Sequence, residues 1–282
     1  MKYPIHELCR LGSIARAAYY KWMKHPKSEH ELQNEKIAEE VRKIHDEHPD
    51  MGYRRIRDEL DRNHDIHVND KRVLHINRAL QIQSTIKFRS HGCTKNASSP
   101  ECTADNVLNR EFHSDKPDEK WVTDVTEFKY GATLDGIHKL YLSAILDLCD
   151  RRPVSFIISD HNNNQLVFDT FDVAVIKNPD AHPLFHSDRG YQYTSKIFHQ
   201  KLIDAGMTQS MSRVAHCLDN GPMEGFWGIL KREMYYGKRY TDRDELVNAI
   251  IKYMDYYTNK RLQRKLSVMT PMEYHEKCLK AA

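Results

Sequence analysis

The 282-residue sequence predicts an α/β fold: a mixed five-stranded sheet flanked by helices, preceded by an all-α helix-turn-helix region. Two observations carry this. Apolar residues recur at helical spacing from Leu8 to Leu80, while from Trp121 to Ser212 short β-branched and aromatic runs alternate with amphipathic helical stretches. Three strands, then helix, strand, helix, strand, helix, is the order of a three-layer α/β domain.

At the N-terminus, Leu8, Leu11, Ile14, Ala18 and Trp22 keep helical spacing, interrupted by Gly12-Ser13, which predicts two short helices and a tight turn. Leu32, Ile37, Val41 and Ile44 define one face of a helix that ends near Pro49. Tyr53, Ile56 and Leu60 define the next helix. Asn69-Asp70 then caps one carrying Val73, Ile76 and Leu80. The outer face of that last helix holds Lys71, Arg72, His75 and Arg78, as suits a helix that reads a DNA groove. Residues 89–118 are polar, lack any sustained period and read as a linker. Strands follow at Trp121–Tyr130, His138–Leu148 and Val154–Ser159, then a helix at Gln165–Ile176. A strand over Pro183–His186, a helix over Ser195–Ala205, a strand over Thr208–Ser212 and a helix from Gly221 to Tyr236 complete the series. Pro222 falls in the first turn of that helix, where its missing N–H is harmless.

Composition excludes several classes. No run reaches the roughly 18 apolar residues of a membrane span, and the polar N-terminus is no signal peptide. Cys9, Cys93, Cys102, Cys149, Cys217 and Cys278 are scattered without a CxxC pair, which argues against a disulfide scaffold and for a reducing, cytoplasmic compartment. His91, Cys93, Cys102 and His113 match no zinc template. The net charge of +3 conceals a segregation: residues 1–50 are neutral, 51–98 carry +5, 99–230 carry −7 and 231–282 carry +5. Basic flanks suit phosphate backbones, and an acidic centre suits a divalent cation.

Most acids of the centre, such as Asp135, Asp169, Asp172 and Asp180, fall in turns or on helical surfaces. Three do not. Asp124 interrupts a strand, where acids are depleted. Asp188 follows an apolar strand at its carboxyl end, where α/β folds place ligands. Glu224 lies in the first turn of a helix. Two like charges at about 4 Å repel by roughly 4 kcal/mol at an effective dielectric near 20, so convergence of the three is tolerable mainly around a cation. Oxygen donors without a Cys/His set imply Mg²⁺ or Mn²⁺, and three carboxylates can hold two such ions for in-line phosphoryl transfer.

Trp121-Val122-Thr123-Asp124-Val125-Thr126, His186-Ser187-Asp188-Arg189-Gly190-Tyr191-Gln192-Tyr193, Ser210-Met211-Ser212 and Asp219-Asn220-Gly221-Pro222-Met223-Glu224, followed by Leu230-Lys231-Arg232-Glu233, together resemble the catalytic core of DDE transposases of the retroviral-integrase superfamily. The closest likeness is to the second-reading-frame (OrfB) protein of the third bacterial insertion-sequence family. Thirty-five residues separate Asp188 from Glu224, the interval typical of that family. Tyr253, Tyr256-Tyr257, Asn259, Arg261, Leu266 and Thr270-Pro271 resemble its C-terminal ending, with Thr258 intervening before Asn259. Glu7-Leu8-Cys9 through Tyr19-Tyr20-Lys21-Trp22 resembles its opening helix-turn-helix remnant. Gly52-Tyr53-Arg54-Arg55-Ile56 with Lys71-Arg72-Val73 resembles its second DNA-binding module, Met51 standing where relatives often carry Tyr.

The resemblance implies a ribonuclease H-like integrase core over residues 119–236, a helix-turn-helix-like segment over 1–28, a helical DNA-binding module over 29–88 and a C-terminal helical tail over 237–282. It implies that Asp124, Asp188 and Glu224 hold two Mg²⁺ (or Mn²⁺) ions. Water would nick an element end, and the freed 3′-hydroxyl would attack target phosphate without a covalent enzyme intermediate. Arg54, Arg55, Lys71, Arg72, Arg78, Arg189, Gln192, Asn220, Lys231 and Arg232 become candidate DNA contacts. His186 is expected to buttress the strand end and not to act as a base. The implied partners are insertion-sequence terminal repeats and target DNA, further copies of the chain on that DNA, and an upstream-frame (OrfA) protein, in a bacterial, nucleoid-associated setting. A catalytically silent DNA-binding regulator or inhibitor of transposition is the alternative. The intact triad weighs against it, because a silent relic is free to lose any acid. A ribonuclease H-type nuclease shares fold and metals but leaves the helix-turn-helix region and the tail without a purpose.

Overall fold

The structure is a computed structural model and describes residues 4–24, 27–86, 101–131, 136–214 and 216–281. His91, Cys93, Asp135 and residues 89–100 of the expected linker lie outside the described residues. The chain forms two compact units, Met1–Thr85 and Ile86–Ala282.

The first unit is all α. Helices α1 (Ile5–Leu11) and α2 (Arg16–Met23) follow the helical spacing of their apolar residues, yet Cys9 alone is buried in them. Helix α3 (Glu29–Glu47) starts at a capping box, with Ser28 accepting from the Glu31 N–H and the Glu31 carboxylate accepting from the Ser28 N–H. It presents Ile37, Val41 and Ile44 to α4 (Tyr53–Asn63) and α5 (Asp70–Ala79). Ile56, Leu60 and Val73 are fully buried between them, and Met51 joins this core. Burial of each such side chain is worth about 1.5–3 kcal/mol relative to exposure, which offsets the cost of ordering short helices. Asn69 caps α5 by accepting from the Arg72 N–H at 2.8 Å.

The second unit is a three-layer α/β structure. Strands β1 (Lys120–Tyr130), β2 (His138–Asp147) and β3 (Pro153–Ser159) form an antiparallel meander. Helix α6 (Asn164–Lys177) leads to β4 (Leu184–Ser187), and α7 (Lys196–Asp204) to β5 (Thr208–Met211). The order is β3-β2-β1-β4-β5, with β4 parallel to β1 and β5 parallel to β4, so the sheet is mixed. Alternation along the strands divides the core. Trp121, Ile145 and Phe185 pack with α6 and α7, whereas Val122, Leu142 and Leu146 pack on the other face. That other face is covered by α8 (Gly221–Leu230) and α9 (Arg243–Asn259), and α10 (Pro271–Ala281) packs against α9.

Two segments depart from the sequence pattern. The helix expected to run unbroken from Gly221 to Tyr236 is α-helical only to Leu230 and continues as one π-turn, Lys231–Tyr235. The wider turn brings Tyr235 to the edge of β1, where its hydroxyl donates to the Lys129 carbonyl at 2.8 Å and accepts from the Lys129 N–H at 2.9 Å. Residues 101–119, which lack any period, are fixed against the sheet unit. Leu108 is buried, its N–H donates to Ser210 Oγ at 3.0 Å, and the Met211 N–H donates to the Asp105 carbonyl at 3.2 Å. Polar side chains and not apolar rhythm order this stretch, so it is a strap and not a free spacer.

Candidate active site

The sheet register sets the first two acids side by side. β1 and β4 run parallel, with Val122 opposite His186. Asp124 and Asp188 each lie two residues further on, Asp188 just past the end of β4. Asp124 shares its face of β1 with Val122 and therefore points toward α8. That helix is anchored beside it, because Asn220 Nδ2 donates to the Thr123 carbonyl at 3.0 Å. Glu224 then falls in the first turn of α8, where the N-terminal dipole favours an acid.

Both oxygens of Asp124 are engaged. Oδ1 accepts from the Val125 N–H at 2.8 Å, and Oδ2 accepts from the Trp227 indole N–H at 3.0 Å. Burial, then the negative charge of Asp188 and more weakly that of Glu224, raises the Asp124 carboxyl to about 7 against the pull of those two donors. Asp188 opens to solvent at the rim, yet the protein packed around it raises its carboxyl too, opposed by the Gly190 N–H, which donates to Oδ1 at 2.8 Å. A side chain there would crowd the acid, since a Cβ on Gly190 would lie 3.0 Å from that oxygen.

These donors suit a hard divalent cation: carboxylate oxygens, mutual repulsion left uncompensated, and an open mouth. They are not drawn into a finished chelate, for among the described residues no three His, Cys, Asp or Glu side chains are grouped to hold an ion together. Each bonded oxygen of Asp124 keeps a second lone pair, and the exposed Glu224 has room to reorient.

Around the acids stand His186, expected from sequence to buttress the strand end, and two residues whose roles the sequence does not announce, Asp219 and Trp227. His186 is fully buried and bridges β4 to β5, Nδ1 to Ser210 Oγ at 2.9 Å and Nε2 to Ser212 Oγ at 3.1 Å. Burial lowers its pKa to about 4, which keeps it neutral and structural. Asp219 is fully buried at the foot of α8, where Arg213, Arg110 and Asn106 converge on its two oxygens at 2.7–2.9 Å. Those hydrogen bonds hold its carboxyl far below the ordinary range. In sequence it stands out only as the first residue of the Asp219–Glu224 motif. Trp227 gave one signal, its i+3 spacing from Glu224, which puts both on one helix face.

The basic and polar candidates divide by exposure. In the first unit Lys71 and Arg78 are exposed along one face of α5, as is His75 between them, and Arg54 lies exposed with its guanidinium 5.5 Å from the Tyr53 ring centre. Arg55 pairs with Asp50 at 2.8 Å, and Arg72 turns back to α3, where Asn34 Oδ1 accepts from its Nε at 2.8 Å. In the second unit Arg189 donates to the Ser212 carbonyl at 2.9 Å, and the guanidinium of Arg232 folds over Gly228. Lys231 sits 5.3 Å from the Phe128 ring centre, and burial lowers its pKa against the opposing pull of Asp124 and Glu127. Gln192 and Asn220 are buried and bonded inward, to Asn162 Oδ1 and the Thr123 carbonyl. Direct contact with a ligand would require uncovering them.

A mixed five-stranded sheet in this order, helices on both faces, an acid within β1 and another just past the end of β4 define a ribonuclease H-like integrase core, the framework of polynucleotidyl transferases. Residues 114–217 and 224–279 match families described as Integrase core domain, and residues 31–89 match an HTH-like domain. The InsK protein of insertion sequence element IS150 from Escherichia coli (strain K12) is 35% identical over 96% of this chain and 93% of its own length. The transposase of IS904 from Lactococcus lactis is 31% identical over 88% of this chain and 97% of its own. Among solved structures, the HTLV-2 integrase catalytic core in complex with magnesium aligns with a TM-score of 0.43 and 20% identity, covering 57% of this chain and 97% of that one. The chain belongs to the insertion-sequence transposases that carry an integrase core domain.

Proposed function

We propose that the chain cuts and joins DNA strands at the ends of an insertion sequence, with Asp124, Asp188 and Glu224 as its catalytic carboxylates. The observation that carries this reading is the pairing of Asp124 and Asp188 at equivalent positions on adjacent parallel strands, beside the first turn of α8. Burial and repulsion from Asp188 leave Asp124 short of positive charge, as burial does Asp188, and a divalent cation would supply it. A bound pair of Mg²⁺ or Mn²⁺ ions would activate the attacking oxygen and stabilise the leaving one in an in-line phosphoryl transfer. Asp124 is aimed by its two N–H donors, Asp188 by Gly190, and Glu224 by the Asn220 and Asp219 anchors of α8. His186, neutral and saturated by two serines, takes no proton in this scheme.

For DNA, the exposed Lys71, Arg78 and Arg54 of the helical unit are assigned to phosphate or base contact, and Lys231 and Arg189 to the strand near the acids. Terminal repeats, target DNA, further copies of the chain and an OrfA-type protein are its proposed partners. Residues 1–28, 29–88, 89–118, 119–236 and 237–282 are its proposed functional divisions. The test is D188N with labelled element ends. Mg²⁺-dependent nicking and strand transfer disappear while duplex binding survives; strand transfer at the wild-type level would remove the assignment.

A further inference from the structure

Trp227 does more than fill the core. It lies one helical turn beyond Glu224, is 6% exposed, and packs against Phe226 with ring centres 4.9 Å apart. Its indole N–H is nonetheless spent on Asp124 Oδ2 at 3.0 Å. An indole can only donate, so this bond requires an oxygen lone pair on the acid and fixes which one is used. With Val125 N–H on Oδ1, the carboxylate plane is defined at both ends. The remaining lone pairs are the ones left for a ligand. The same side chain also rigidly links α8, which carries Glu224, to β1, which carries Asp124.

We propose that Trp227 is a positioning residue for the metal site: its N–H orients Asp124 for cation binding and sets the distance between the Asp124 strand and the Glu224 helix. The inference rests on the assignment of Asp124, Asp188 and Glu224 as metal-holding carboxylates. Outer partners of metal ligands are worth about 10–100-fold in metal affinity. Packing alone would predict something different, because an isosteric ring without the N–H fills the same space.

The experiment uses the full chain and Mn²⁺ alone, followed by titration calorimetry or electron paramagnetic resonance. Wild type is compared with D124N, with W227F, and with a chain carrying 3-benzothienylalanine at position 227, which keeps the indole shape and lacks the N–H. Circular dichroism confirms that each variant folds. The expected result is that both position-227 variants weaken Mn²⁺ binding about 10-fold or more while melting stays cooperative. In strand transfer the half-saturating Mg²⁺ concentration rises, with most of the rate recovered at saturation. Mn²⁺ affinity unchanged in the benzothienyl chain, with D124N impaired, would overturn the role of Trp227 and leave the carboxylate assignment standing. Mn²⁺ affinity unchanged in D124N as well would overturn both. Should W227F unfold, the benzothienyl chain alone decides.

Discussion

Asp124, within β1, and Asp188, just past the end of β4, each lie two residues beyond the Val122–His186 pair that joins these parallel strands. Burial first, and the charge of Asp188 second, makes an ionised Asp124 costly in the folded state, and that cost has a measurable sign. Folding raises the Asp124 carboxyl to about 7, whereas an unfolded aspartate titrates near about 3.9. Between these values the folded state holds more protons, so this group's contribution is most favourable below about pH 4 and is lost as pH rises toward 7. The expected outcome is that D124N gains stability over wild type progressively from pH 4 to 7, with no further gain above. Melting curves without divalent cation measure it, and a difference independent of pH would speak against a buried, charge-crowded Asp124.

The same cost predicts a ligand effect. At pH 8, Mg²⁺ raises the melting temperature of wild type, because a cation bound only by the folded state stabilises it by mass action. D188N, with one donor neutralised, shows a much smaller shift. Differential scanning calorimetry over a Mg²⁺ series checks this, and equal shifts in the two proteins would mean that the cation binds elsewhere.

His186 runs in the opposite direction. Its folded pKa is lowered to about 4 from about 6.5 when unfolded. Its contribution to stability is therefore whole above about pH 6.5 and lost as pH falls toward 4. H186A leaves two buried serine hydroxyls without their partner and opens a cavity, a loss of about 2–4 kcal/mol at pH 7.5. Urea unfolding should show that loss shrinking as the pH is lowered to 4. A variant as stable as wild type would remove the bridge between β4 and β5 as a source of stability.

Much of this was legible in sequence because the strands are short and buried on a regular alternation. Trp121–Tyr130 was expected and Lys120–Tyr130 is found; for the fourth strand Pro183–His186 was expected and Leu184–Ser187 is found. Asp124 stands out as a charge where a strand needs β-branched residues, Asp188 as an acid at a strand's carboxyl end and Glu224 as one in a helix's first turn. What did not show is whatever depends on long-range partners. Nothing local announces that Asp219 gathers Arg110 and Arg213, that the polar stretch 101–119 is held by Ser210 and Met211, or that Arg72 turns inward to Asn34. The π-turn after Leu230 is equally silent, because the Tyr235 hydroxyl contact that accompanies it is with distant β1.

The inward turn of Arg72 separates two kinds of basic residue on one helix. Lys71 and Arg78 are exposed, whereas Arg72 is spent on α3. K71A and R78A should each weaken duplex binding and lower the slope of log affinity against log salt by roughly 0.9, the release of one phosphate contact. Neither should shift the melting temperature appreciably. R72A should lower thermal stability, its salt slope following only the fraction folded. Fluorescence anisotropy across a salt series distinguishes them; an unchanged slope in both K71A and R78A would take the α5 face away from DNA.

Glu233, on the π-turn, meets the far end of the chain. Its carboxylate accepts from Arg261 Nη2 at 2.8 Å and from the Tyr253 hydroxyl at 2.8 Å, and the side chains of Glu233 and Arg261 are only 5% and 11% exposed. The C-terminal motif thus closes over the helix that carries Glu224. Removing one member of such a pair strands a buried charge at a cost of about 3–5 kcal/mol, whereas replacing both with apolar residues of similar volume costs far less. R261M and E233L should each unfold at markedly lower urea concentration, and the double variant should recover much of the difference. Because the π-turn directly continues α8, the single variants should also lose strand transfer more steeply with temperature than wild type. Unfolding energies that simply add in the double variant would show that the two side chains act independently, and the tail would then be held by its apolar contacts alone.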